Sequence, residues 1–243
     1  MEEALQIFDY LPRSFKTEKE QEYIGFLWDT FQANYEGGKY QFAFLAYHML
    51  YMSFVYFIIW QIKKNRPDDF SKALVGFSKD VENGFLNATS PFSFSEVNES
   101  SIFRFFKLIG CDNSKIGNYT KLVKERNDIA HSNGNIFFNA QETIDEKIME
   151  ALKLVDEIQQ HSKKLVLNCF ESFLIENHDP EKREYFDASD HIREMLVHEN
   201  YLSQKDIEVC LNYDIAHLSN EKYYKKIKKL HDVFVSEYKE DED

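Results

Sequence analysis

Arg126, Asn127 and His131 stand together in the run Arg126-Asn127-Asp128-Ile129-Ala130-His131. An arginine is a cation at every ordinary pH and grips phosphate or carboxylate oxygens through a rigid fork of N–H donors. A histidine titrates near neutrality, so it can take up and return a proton. Asn127 and His131 are four residues apart, neighbours on a helix, where the amide could orient the imidazole by a hydrogen bond. A fixed cation beside a titratable acid/base is the equipment of phosphoryl transfer: charge stabilisation on the phosphate and a proton shuttle.

The element that must carry these residues is a helix from Ser114 to His131. At about 100° per residue, Ile116, Tyr119, Leu122, Val123, Ile129 and Ala130 fall within an arc of about 140°, the stripe that a packed helix buries. Arg126 falls near the middle of that arc. Lys121, Lys124, Glu125 and Asp128 fall on the opposite side. An unpaired buried charge costs several kcal/mol, so Arg126 needs a partner carboxylate, a subunit interface or an anionic ligand. His131 comes in the last turn, just before Asn133-Gly134, and a helix C-terminus favours a protonated imidazole.

The rest of the chain reads as helices too. Thr17 begins a helix running to about Tyr35, stopped by Gly37-Gly38. A second runs from Lys39 to Lys64 and ends at Asn65-Arg66-Pro67. Asp68 to Asn83 and Ser95 to Ile109 are helical stretches separated by a loop from Asn87 to Phe94. After the loop Ser132-Asn133-Gly134-Asn135, Ala140 to Asn177 carries the apolar series Ile144, Ile148, Ala151, Val155, Ile158, Leu165, Cys169. Its steps alternate fours and threes if Ser162 fills one slot, which predicts a spine helix. Asn177-His178-Asp179-Pro180 is the boundary, and Glu181 to Asp243 reads as about three shorter helices with an acidic tail. No run of period two is long enough for a sheet. The expected architecture is all-α: a helical bundle over residues 17–177 with a C-terminal helical extension over 181–243.

Composition agrees. Among 243 residues there are only 8 Gly and 4 Pro, too few for the many tight turns of an all-β chain, while 22 Phe and 14 Tyr promise an aromatic core. Cys111, Cys169 and Cys210 are odd in number and widely spaced, so neither a disulfide framework nor a zinc site is expected and the compartment reads as cytoplasmic. Met1-Glu2-Glu3 is acidic where a signal peptide would be basic. From Phe42 to Ile62 there is no charged residue, enough to span a bilayer by length. His48, Ser53 and Gln61 interrupt that run, Tyr47, Tyr51 and Tyr56 sit mid-segment, and the mean hydropathy of the chain is −0.52. A bundle helix buried on all sides is the reading adopted, with no membrane partner. The net charge of −13 argues against a protein that coats nucleic acid nonspecifically.

Arg126-Asn127-Asp128-Ile129-Ala130-His131, followed by Ser132-Asn133-Gly134, resembles the Arg-x(4–6)-His motif region of the HEPN superfamily, which commonly has Asn, Asp or His directly after the arginine. These proteins are helical bundles, many of them metal-independent endoribonucleases of toxin–antitoxin, abortive-infection and CRISPR systems. They typically dimerise so that two motifs face each other. The resemblance implies an endoribonuclease that needs no cofactor and no metal. Arg126 would stabilise the scissile phosphate, His131 would act as general acid/base as the 2′-hydroxyl attacks, and Asn127 would orient them. Lys121 and Lys124 are the substrate-binding candidates. The expected partners are RNA, including tRNA, a second copy of the chain, and an antitoxin or another defence-system protein. The net acidity departs from what an RNA enzyme leads one to expect. The alternative is a non-catalytic helical subunit that binds RNA or protein, with Arg126 merely paired to a core glutamate.

Other patterns are weaker. Arg193-Glu194-Met195-Leu196-Val197-His198 repeats the bare spacing but has Glu after the arginine, and is taken as coincidence. Asp187, His191, Glu194 and His198 would share one helical face able to hold a transition metal, but the pattern reads better as an exposed polar strip. His48 is expected to be a hydrogen-bonded core residue. Lys222, Lys225, Lys226, Lys228 and Lys229 are expected to form a solvated face.

Overall fold

Thr17 opens the first long helix with a capping box: its hydroxyl accepts from the Glu20 amide at 3.2 Å, and Glu20 returns the favour to the Thr17 amide at 3.3 Å. In the computed structural model, which describes residues 1–131 and 134–239, that helix is α2 (Glu18–Glu36). It follows a short α1 (Glu2–Leu5) and ends where Gly38 takes a positive φ of 67°, as the glycine pair predicts. The chain turns back at once into α3 (Tyr40–Asn65).

α3 is the axis of the molecule. Nearly every residue from Ala43 to Ile62 is buried, because α2, α7 (Asn113–Ala130) and α8 (Gln141–Glu176) all pack on it. By length and composition it could cross a membrane, yet 83% of its apolar window is enclosed by protein. Aromatic rings fill the space around it, Phe31 against Tyr47 at 5.2 Å and Phe57 against Tyr201 at 5.2 Å among them.

Between α3 and α7 the chain departs from expectation. Residues 68–83 form two helices rather than one, α4 (Pro67–Ala73) and α5 (Lys79–Leu86), because Gly76 turns the chain at φ 95°. Pro67 starts α4, a position where its missing N–H costs nothing. The expected loop and helix over 87–109 are instead two 3₁₀ segments, Pro91–Glu96 and Phe103–Ile109, around a single turn, α6 (Glu99–Ile102). Phe70, Phe85, Phe94 and Phe105 pack face to face and edge to face there, and this aromatic packing sets the path of the segment.

α8 serves two cores. Ile144, Ile148, Ala151, Val155, Ile158 and Leu165 belong to the large core with α2 and α3. Val166, Phe170, Phe173 and Leu174 belong to a second core with the C-terminal elements. Ser162 fills the slot left for it, fully buried, with its hydroxyl on the Gln159 carbonyl. The change of core thus falls within α8, near residue 165, whereas the expected boundary at 177–180 is where the helix stops. Residues 4–11 also join the large core, ahead of the start expected at 17.

Beyond Pro180 come α9 (Ala188–His191), a π-helical segment Ile192–His198, α10 (Gln204–Leu211) and α11 (Tyr224–Tyr238). Asp206 ties the two cores. It is 1% exposed, and its carboxylate accepts from Gln61 of α3, Gln159 of α8 and the Ser203 amide. Among the described residues there is no strand, and the molecule is all-α as the sequence predicts. Ser132 and Asn133 of the expected loop, and Glu240 to Asp243 of the acidic tail, lie outside the described residues.

Candidate functional site

Asp112 caps α7 by accepting from the Lys115 amide at 2.9 Å, and Tyr119, Leu122, Val123 and Ile129 form its buried stripe. Ile116 is half-buried, and Ala130, expected in the stripe, is exposed because α7 ends there. The opposite side is less bare than its charges suggest. Lys147 of α8 reaches Glu125 at 2.8 Å. On the Arg126 face, Lys115 in the first turn reaches Glu157 of α8 at 2.9 Å.

α7 runs antiparallel to α3. Gln41, at the start of α3, donates to the Ile129 carbonyl, while further along α3 the ring of Tyr51 meets Phe103, which in turn meets Tyr119. Between these two levels lies the partner that Arg126 requires. Its guanidinium is in an ion pair with Oε2 of Glu99, the first residue of α6. The same oxygen accepts from Nε2 of His48 at 3.0 Å. His48 is buried and hydrogen-bonded, as expected; its Nδ1 and the nearby Tyr51 hydroxyl have no hydrogen-bond partner among the described residues. Burial alone would push the Glu99 carboxyl up, but the hydrogen bonds from His48 and Arg126 outweigh it and hold the group below the ordinary carboxylate range.

The other motif residues are arranged differently from the expectation. His131 caps α7 with extended backbone (φ −82°, ψ 137°), its amide donating to the Asn127 carbonyl at 3.2 Å. That turn takes the imidazole out of the helical row, so the expected side-chain hydrogen bond between Asn127 and His131 is not made. His131 is exposed, and its ring has no partner among the described residues. Lys121 and Lys124 are exposed and free of salt bridges among the described residues, but they lie on the side of α7 away from Arg126.

A cleft of about 690 Å³ opens beside Glu99, between α2, α3 and the segment from Thr89 to Ser95. Tyr23, Met49, Met52, Ser53, Tyr56 and Phe92 line it, with Glu99 and Glu20 as its carboxylates. Tyr23 and Tyr56 each meet Phe92 edge to face, at 5.2 and 6.4 Å. Burial first, and then the charge of Glu99, push the Tyr56 hydroxyl upward while Arg126 opposes this, which places the ion pair within electrostatic reach of the cleft. Glu20 is fully engaged: it accepts from Tyr201, from Ser90 and from its own capping box.

Sequence reasoning did not single out Glu99 or the cleft. That Arg126 needs a carboxylate, a subunit interface or an anionic ligand was legible, but nothing in Asn98-Glu99-Ser100 distinguishes that glutamate from the many others. The metal-ligand reading of Asp187, His191, Glu194 and His198 fails on geometry. Asp187 caps α9, and the π-helical segment shifts the register. His191 is buried on Asn177 at 2.8 Å, and His198 faces Ser14 at 3.1 Å. Among the described residues no cluster of His, Cys, Asp and Glu is suited to a metal ion.

Fold and site define an all-α protein that carries a His–Glu–Arg cluster beside an aromatic cleft. Comparison of the chain with protein-family models, with curated proteins and with solved structures finds no match.

Proposed function

We propose that this protein is a metal-independent endoribonuclease of the HEPN type, cytoplasmic, acting as a homodimer in a phage-defence or toxin–antitoxin setting. The observation that carries the reading is the end of α7: Arg126, held in place on a core-facing stripe, is followed one turn later by an exposed imidazole without a partner among the described residues, His131. In the reaction His131 takes the proton of the attacking 2′-hydroxyl. The oxygen bonds to phosphorus, and as the P–O5′ bond breaks the imidazolium returns the proton to O5′, leaving a 2′,3′-cyclic phosphate and a free 5′-hydroxyl. Arg126 stabilises the charge that builds on the phosphoryl oxygens. Its side chain keeps 28% of its exposure in the pair with Glu99, so a phosphodiester can approach the guanidinium without unfolding the helix. Asn127, half-exposed one residue on, adds an amide at the same helix end. Lys121 and Lys124 can contact RNA only where it wraps round α7.

The ion pair itself favours a second reading. Arg126 already has its carboxylate, so the motif also suits a binding subunit in which the arginine is structural. Incubating the purified protein with total RNA and with tRNA in EDTA, beside His131→Ala, decides between them. Cleavage lost in the variant supports the nuclease. No cleavage by the wild type leaves the binding subunit.

A further inference from the structure

We propose that the cleft beside Glu99 is a nucleobase pocket selective for guanine, holding the base of the nucleotide whose phosphate reaches Arg126. Its placement next to a scissile phosphate rests on the endoribonuclease reading; the recognition chemistry does not.

Three features of the cleft support it. First, its volume of about 690 Å³ lies in the ordinary range for a small-molecule site, about 300–1,000 Å³. Second, its walls are aromatic and thioether: Tyr23, Tyr56 and Phe92 with Met49 and Met52 offer the flat, polarisable surface on which bases stack. Third, three of the polar groups left over in it, the Glu99 carboxylate and the Tyr23 and Tyr56 hydroxyls, match one base. Both donors to Glu99, from His48 and Arg126, go to Oε2, so Oε1 accepts from no described residue. A carboxylate oxygen only accepts, and guanine alone among the four RNA bases presents two adjacent donors, N1–H and the N2 amino group, on its Watson–Crick edge. The Tyr23 and Tyr56 hydroxyls make no hydrogen bond to a described residue and are free to donate to the O6 and N7 acceptors of the same base. Glu20, saturated by Tyr201, Ser90 and Thr17, does not compete.

The order along α3 fits a nucleotide laid over the site. The His131 end of α7 lies by Gln41, Arg126 by His48, and the cleft runs on from Met49 to Tyr56. A base in the cleft therefore has its phosphate side towards Arg126 and the next nucleotide towards His131.

Calorimetry of the full chain with GMP, AMP, CMP and UMP tests this. GMP should bind at least about tenfold more tightly than the others, the discrimination expected of one good base-edge contact. Glu99→Gln, which turns half of the acceptor into a donor, should remove that preference. Thr89→Trp, at an exposed position on the rim, should block all binding while leaving the circular dichroism and melting temperature unchanged. Equal binding of all four nucleotides, no binding of GMP, or binding that survives Thr89→Trp overturns the proposal. The two readings fail separately. RNA cleavage without GMP binding ends the base pocket and keeps the nuclease, and GMP binding without RNA cleavage ends the nuclease and keeps the pocket.

Discussion

His48 and Arg126, from two different helices, donate to one and the same atom, Oε2 of Glu99. The shared oxygen locks α3, α6 and α7 together where the apolar stripe of α7 is interrupted by a charge. It also leaves the other carboxylate oxygen without a hydrogen bond to any described residue, on a side chain that lines the cleft. A single glutamate thus joins the packing of the motif helix to the chemistry available beside it.

His131→Ala should be nearly silent in folding, costing on the order of 1 kcal/mol or less, because the ring is exposed and without a partner among the described residues. RNA cleavage should fall about 10²–10⁴-fold, the usual loss of a general acid/base. His198→Ala, at the second Arg-to-His spacing, removes a side chain whose ring pairs with Ser14, away from α7, so cleavage should be unchanged. Equal activity of the two variants in a gel assay would rule out His131 as the proton-transfer group.

Cleavage should persist in EDTA and yield 2′,3′-cyclic phosphate ends, readable by resistance of the product to ligation until the cyclic group is opened. A strict requirement for magnesium or manganese would point to another site and another mechanism.

Arg126 and Glu99 keep 28% and 21% side-chain exposure, so their attraction is partly screened. A double-mutant cycle with Arg126→Ala and Glu99→Ala, followed by urea denaturation, should give a coupling of about 1 kcal/mol. Glu99→Ala alone should cost more than Arg126→Ala alone, because it strands the buried His48 as well. The reverse order would mean that Glu99 is not the hub of the cluster.

The depressed Glu99 carboxyl makes a signed prediction about pH. Its contribution to stability is present above the unfolded pKa of about 4.3 and is lost as pH falls through the lower folded value. The difference in urea midpoint between wild type and Glu99→Gln should therefore be widest near neutrality and shrink below about pH 4. His217 behaves oppositely. The Glu171 carboxylate raises it, so its contribution is present below the ordinary histidine pKa and lost as pH rises through the raised one. A Glu99 difference that stays constant down to low pH would contradict the assignment.

Asp206→Ala removes an acceptor shared by Gln61, Gln159 and the Ser203 amide at the junction of the two cores. With those buried donors left unmet, stability should drop by about 3 kcal/mol. A single transition in the wild type that splits into two in Asp206→Ala would show that Asp206 couples the cores; a single transition in both would show that they hold together without it.

The motif, the stripe that places Arg126 and its need for a carboxylate, an interface or an anionic ligand were all legible in the residues of α7, because period and charge are local properties of a helix. So were the buried nature of α3 and the α8 series with Ser162 in its slot. Which glutamate answers Arg126 was not legible: Glu99 reaches it through the 3₁₀ segments of 91–109, whose course is set by phenylalanines packing on α3 rather than by any period of their own. The failed alignment of Asn127 with His131 has a similar cause, since α7 stops at Ala130 and the backbone turns extended one residue later. The sequence by itself determined an all-helical protein with a cation and an imidazole on one helix end. Only the tertiary structure decided the partner of that cation, and it put the aromatic cleft beside the pair. Hydrophobic periodicity says which face is buried, whereas the identity of what it is buried against depends on contacts between residues far apart in the chain.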